Sequence, residues 1–195
     1  MEPPTIYLPP RLELEIDLTD EQFWQLCQKN DDLRFERSAK GELIIMSPTG
    51  GNTGKRNVKI TTQLDIWNSQ NNLGEVFDSN TGFTLPNGSD RAPDASWVSR
   101  QRWDVLSVEE QDKFVPLCPD FVLELMSPSD SLEKTRAKMR EYIENGAQLG
   151  WLINRKKRQV EIYRPSKDVE ILENPQRLSG ENVLPGFVLD LAPIW

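Results

Sequence analysis

Apolar residues in this chain arrive in short bursts with two different periods. Between residues 19 and 30, Phe23, Trp24, Leu26 and Cys27 follow helical spacing behind a capping Thr19 or Asp20, which predicts a helix. Gly41 to Met46 is rich in β-favouring residues and predicts a strand, and Ser47 to Asn52 is turn chemistry. Residues 53–70 predict a longer helix with an imperfect apolar face of Val58, Thr61, Thr62, Leu64, Asp65 and Trp67. Short strands are expected at 75–78 and 82–85. Pro86-Asn87-Gly88-Ser89 reads as a hairpin turn leading into a strand that carries Asp94. Residues 100–113 predict short helices, ended by Pro116 and Pro119.

The run 120–126 is the most apolar in the chain and predicts a buried strand. A helix is expected over 130–145, with Asp130 and Glu133 as a capping box and Gly146 as the stop. Leu149 to Ile153 and Gln159 to Tyr163 read as strands joined by the charged turn 154–158, and Val169 to Leu172 as another. Strand, helix and strand from 120 to 153 make a βαβ unit, hence a parallel pair with a right-handed crossover. The earlier hairpins are antiparallel. The sum is an α/β fold, a mixed β-sheet flanked by helices, in one domain over 1–195 with residues 1–17 as an extended N-terminal arm.

Two acids interrupt this apolar pattern. Asp94 lies in Arg91-Ala92-Pro93-Asp94-Ala95-Ser96-Trp97-Val98, and Glu124 in Pro119-Asp120-Phe121-Val122-Leu123-Glu124-Leu125-Met126. An ionised carboxylate in such a place loses hydration and needs a positive partner. Alternation puts Asp120, Val122, Glu124 and Met126 on one strand face. Asp120 and Glu124 are then roughly 13 Å apart, too far to share one metal. Asp120 is read as a strand-entry residue meeting backbone amides. Asp94, on a strand able to lie about 4.8 Å away, can clamp a cation with Glu124. The following helix offers Lys134 and Lys138 on one face at i, i+4 spacing, with Tyr142 beyond them. Lys138 is the better placed to reach back over the strand end.

Composition narrows the chemistry. The chain of 195 residues has no histidine, which excludes Ser-His-Asp and Cys-His nucleophile systems and HExxH zinc sites. Carboxylates, lysine, water and an oxygen-preferring metal, Mg2+ or Mn2+, remain. The net charge of −8 argues against a strong non-specific nucleic-acid binder, although Lys55, Arg56 and Lys59 gather near a helix start where phosphate contact is expected. Gly50-Gly51-Asn52-Thr53-Gly54-Lys55-Arg56 lacks the P-loop spacing, so no nucleotide cofactor is expected. Cys27 and Cys118 fit no metal or disulfide spacing and read as reduced thiols. No apolar stretch is long enough for a membrane span and the N-terminus has no signal pattern, so the expectation is a cytoplasmic protein. Trp67, Trp103 and Trp195 are candidates for an apolar homodimer surface.

These motifs together resemble the PD-(D/E)xK nuclease superfamily. Pro93-Asp94 matches the first acid and Glu124-Leu125-Met126 the second, with Met126 where the lysine usually stands. One branch, the Uma-type family of restriction endonucleases, carries that lysine on the next helix, and this chain is identified as a member. Gly41 to Pro48, Pro93 to Val98, Pro119 to Ser129, Lys138-Met139-Arg140-Glu141-Tyr142, Asn145-Gly146 and Trp151-Leu152-Ile153 are similar to its successive motifs. The resemblance spans about residue 35 to the C-terminus. It implies a restriction-endonuclease-like fold, an Mg2+- or Mn2+-dependent endonuclease acting on DNA as a homodimer, and catalytic roles for Asp94, Glu124 and Lys138. Glu36 is a fourth candidate, with Glu42 as the competing acid. Many members carry a histidine where this chain has Lys55, Arg56 or Asn57. A rival reading is a catalytically inactive nuclease-fold interaction module; a carboxylate-only hydrolase of a small substrate is a third.

Overall fold

The computed structural model describes residues 11–195. In chain order the elements are β1 (Arg11–Glu15), α1 (Asp20–Lys29), β2 (Arg34–Arg37), β3 (Glu42–Met46), α2 (Gly51–Asn71), β4 (Gly74–Asp78), β5 (Phe83–Thr84), β6 (Asp90–Arg91) and β7 (Ala95–Ser99). They continue with α3 (Arg100–Trp103), α4 (Val108–Asp112), β8 (Phe121–Leu125), α5 (Leu132–Glu144), β9 (Leu149–Asn154), β10 (Gln159–Tyr163), β11 (Glu170–Glu173), β12 (Arg177–Ser179) and β13 (Val188–Asp190).

A six-stranded mixed sheet, ordered β11-β10-β9-β8-β7-β4, forms the centre. Its one parallel pair is β8 with β9, joined through α5, as the βαβ pattern predicts. Side chains alternate across it. Phe121, Leu123, Leu125, Trp151 and Ile153 face α2 and the C-terminal segment, together with Ile60, Leu64, Trp67 and Phe187. Val122 and Leu152 face α5 and pack with Met139 and Tyr142. Glu124 shares the Val122 face, so α5 roofs it over. A second, wholly antiparallel sheet runs β1-β3-β2-β6-β5, and β12 and β13 pair separately.

Several elements differ from the pattern-based expectation. β2 carries Arg34, Glu36 and Arg37 around one Phe and gives no apolar alternation, so the periodicity misses it. Val58, expected on the inner face of α2, is 65% exposed, because the buried register is Thr53, Asn57, Ile60, Leu64, Trp67 and Asn68. α5 is capped by Ser131, whose hydroxyl accepts from the Lys134 amide, while Asp130 instead accepts from the Ser127 amide at 2.6 Å. The turn around Gly88 (φ +82°) joins β5 to β6, and Asp94 stands one residue before β7 rather than in it. Pro93, lacking an N–H, delays the ladder. Of the expected N-terminal arm, residues 11–15 form β1 on the edge of the second sheet, and residues 1–10 lie outside the described residues.

The tryptophans expected at a dimer surface pack inward. Trp67 is buried and donates to the Pro185 carbonyl, Trp103 packs against the α5-side core, and Trp195 donates to the Pro175 carbonyl. Their rings complete the core, so they offer little free apolar surface. Among the described residues no helix is long and apolar enough to cross a membrane.

Candidate active site

Four elements converge on one cleft of about 770 Å³. β2 brings Glu36, the link between β6 and β7 brings Asp94, β8 brings Glu124, and α5 brings Lys138. Ala95 pairs opposite Leu123, so continuing that antiparallel register by one residue sets Asp94 opposite Glu124. Opposed residues in such a pair have Cβ atoms about 4.5–5.5 Å apart. The four acid and base candidates therefore share one site.

Lys138 is its hub. The ammonium lies 2.6 Å from Glu36 Oε1 and 2.8 Å from Glu124 Oε1, with its side chain only 15% exposed. Burial alone would lower its pKa, but Glu124 and Glu36 outweigh this and raise it, so the lysine stays charged. Lys134 lines the same cleft but pairs with Glu13 at 2.7 Å, while Lys138 is the lysine of α5 that meets Glu36 and Glu124. Glu42, the competing acid, accepts from the Ser38 hydroxyl at 2.9 Å.

The three carboxylates are in different electrical settings. Glu36 is almost fully buried. Desolvation pushes its pKa up, yet Lys138 and Arg91 pull harder and hold it at about 2. Arg91 Nη1 donates to Glu36 Oε2 at 3.2 Å, its Nε donates to Glu141 Oε2 at 2.6 Å, and the Ala92 amide donates to Glu36 Oε1 at 3.2 Å. Glu36 is thus a fixed anion that aims the lysine. Glu124 is pushed up to about 7 by burial, with Asp94 and Glu36 adding to the rise and Lys138 opposing it. The Tyr142 hydroxyl donates to its Oε1 at 3.1 Å. Asp94 is also raised, again chiefly by burial, against hydrogen bonds from the Leu125 amide (2.8 Å) and the Asn57 side-chain amide (3.0 Å).

Three supporting residues escaped the sequence reading. Arg91 holds Glu36, and its place two residues before Pro93-Asp94 was the available signal. Tyr142 was noted for its helix face, not for the hydroxyl it presents to Glu124. Asn57 occupies the neighbourhood of the missing histidine and binds Asp94 directly; its Oδ1 is buried without a partner. Of the three basic residues near that helix start, Arg56 donates to the backbone carbonyls of Asn52 and Ile194, while Lys55 and Lys59 are exposed. Asp120, immediately before β8, accepts from the Ser99 amide at 2.8 Å and pairs with Arg102, as expected of a strand-entry acid meeting a backbone amide.

The donor set suits a hard cation. Asp94 and Glu124 repel one another, both are destabilised as anions by burial, and Asn57 leaves a carbonyl oxygen unfilled beside them. Among the described residues no three Asp, Glu, Cys or His side chains gather for a metal. A cation here would rest on two carboxylates and water, an arrangement magnesium accepts.

The fold has a counterpart in a crystal structure of a putative nuclease belonging to DUF820 from Anabaena variabilis. The two superpose with a TM-score of 0.67 at 19% identity, over 80% of this chain and 87% of that one. No curated protein matches the chain. The sequence profile of the Uma2 family, described as "Putative restriction endonuclease", matches residues 20–192, and the chain belongs to that family.

Proposed function

We propose that the protein is a divalent-metal-dependent endonuclease that hydrolyses phosphodiester bonds in DNA. The carrying observation is the buried Asp94–Glu124 pair with Lys138 locked beside it. Asp94 and Glu124 would hold Mg2+ or Mn2+. A cation bound there supplies a Lewis acid for the phosphate and lowers the pKa of water. Lys138 keeps a fixed positive charge next to Glu124, where it orients the attacking water and stabilises negative charge growing on the phosphate. Glu36 and Arg91 set the lysine's position. Water adds to phosphorus as the bond to the sugar oxygen breaks; its hydroxyl stays on phosphorus and its other proton ends, through solvent, on the departing sugar oxygen. Two chains acting together would present one such site to each strand of a duplex.

The test is nicking of supercoiled plasmid by the wild-type protein. Nicking is expected with Mg2+ or Mn2+ and not with EDTA. No nicking, together with no metal binding by calorimetry, would leave the non-catalytic interaction module as the better reading.

Proton linkage gives a second check. Glu124, held at about 7, must shed its proton to bind a cation. Mg2+ affinity is therefore expected to rise with pH, roughly tenfold per unit below 7, and to level off above it. Calorimetry at mildly acid and mildly alkaline pH reads this directly, and a flat profile removes Glu124 from the metal shell. In the metal-free protein the raised Glu124 pKa makes stability fall as pH rises from its ordinary 4.5 to about 7. Glu36 acts oppositely: its contribution is present above its ordinary pKa and is lost as pH falls towards about 2.

A further inference from the structure

The same cleft is lined by Arg155, which the reaction described above does not use. Arg155 follows β9 directly. Because β9 runs parallel to β8, this arginine leaves the sheet at the end where Glu124 is delivered. The other arginines of the cleft have acceptors: Arg11 has Glu13, Arg34 has the Ser79 carbonyl, and Arg91 has Glu36 and Glu141. Arg155 differs. Its Nε and Nη1 are buried and meet no hydrogen-bond acceptor among the described residues.

Such a placement is unfavourable in isolation. The side chain as a whole is only partly buried, but its Nε and Nη1 have lost water without gaining an acceptor. Arg56 adds repulsion; burial first and then Arg56 lower the Arg155 pKa. A guanidinium in this condition is completed by an incoming anion, and its planar fork fits phosphate oxygens. The first turn of α2 lines the same cleft and favours anions in the same direction, though the argument stands on the arginine.

We propose that Arg155 is a phosphate anchor, gripping a backbone phosphate of the bound nucleic-acid strand in the cleft that holds Asp94 and Glu124. The nature of the ligand rests on the nuclease reading, but the test does not require cleavage. A short fluorescein-labelled DNA duplex is titrated in EDTA over a range of potassium chloride, with wild type, Arg155→Met and Lys167→Ala. Lys167 sits in the turn after β10, at the opposite end of the sheet from Arg155. Arg155→Met is expected to bind roughly tenfold more weakly and to lose about 0.9 from the slope of log affinity against log salt. Its melting temperature should hold or rise, since a partnerless cation has gone. Lys167→Ala should keep affinity and slope. Unchanged binding by Arg155→Met, a fall in its melting temperature, or no duplex binding by the wild type overturns the anchor. Arg155-dependent binding with neither metal-dependent nicking nor metal binding would sink the nuclease reading and leave the anchor standing.

Discussion

Asp94→Asn is expected to reduce metal-dependent plasmid nicking by on the order of 1,000-fold while leaving the fold intact. Isosteric exchange removes one negative charge from the pair facing the cation. The local hydrogen bonds can survive. The retained side-chain carbonyl can keep the Leu125 amide bond, now 2.8 Å, and Asn57 can rotate so that its unpartnered Oδ1 accepts from the new amide group. Losing Asp94 also removes a repulsion on Glu124, so the Glu124 pKa should fall from about 7. Nicking, calorimetric Mg2+ binding and thermal melting on one preparation give the outcome. Wild-type nicking by a folded variant that no longer binds metal would end the two-carboxylate account.

The second large effect is on Lys138. Lys138→Met removes the cation shared by Glu36 and Glu124. Glu124 has an escape, because its pKa already sits near neutrality and protonation neutralises it. Glu36 has less freedom: it is 1% exposed and keeps only Arg91 and the Ala92 amide. Breaking a buried pair at one partner typically costs 3–5 kcal/mol, and the escape at Glu124 places the expected loss near the lower end, about 3 kcal/mol at neutral pH. Urea unfolding measures it. Added Mg2+ should restore more stability to the variant than to wild type, since it supplies positive charge beside orphaned acids. Under conditions where the variant is folded, nicking should still fall by on the order of 100-fold. A folded variant that nicks at the wild-type rate would reduce Lys138 to a structural tie.

How much of this could be read from the chain depends on the kind of signal. β8, α5 and β9 were legible because burial on both faces writes apolar runs and helical periodicity into the sequence. Asp94 and Glu124 were legible for the opposite reason: each is an acid where the pattern demands an apolar residue. β2 was not legible, since Glu36 and Arg37 are buried through ion pairs rather than apolar packing, and a charged tetrapeptide resembles a loop. Asn57 was hidden by its helix. A polar residue on an imperfect face carries no mark of what it meets 37 positions away. The division of strands into two principal sheets follows from which edges pair, which periodicity does not encode.

The span of the site along the chain carries one more consequence. Glu36 and Lys138 are 102 positions apart, and the lysine is held only once α5 has settled on β8 and β9. Contacts so distant form late, after loop closure has been met by the rest of the sheet. A nascent chain on the ribosome can therefore build the β2–β3 hairpin early and still carry no working centre. Until α5 has emerged and packed, Glu36, Asp94 and Glu124 stand apart from Lys138, so a chain interrupted before residue 132 carries no assembled centre.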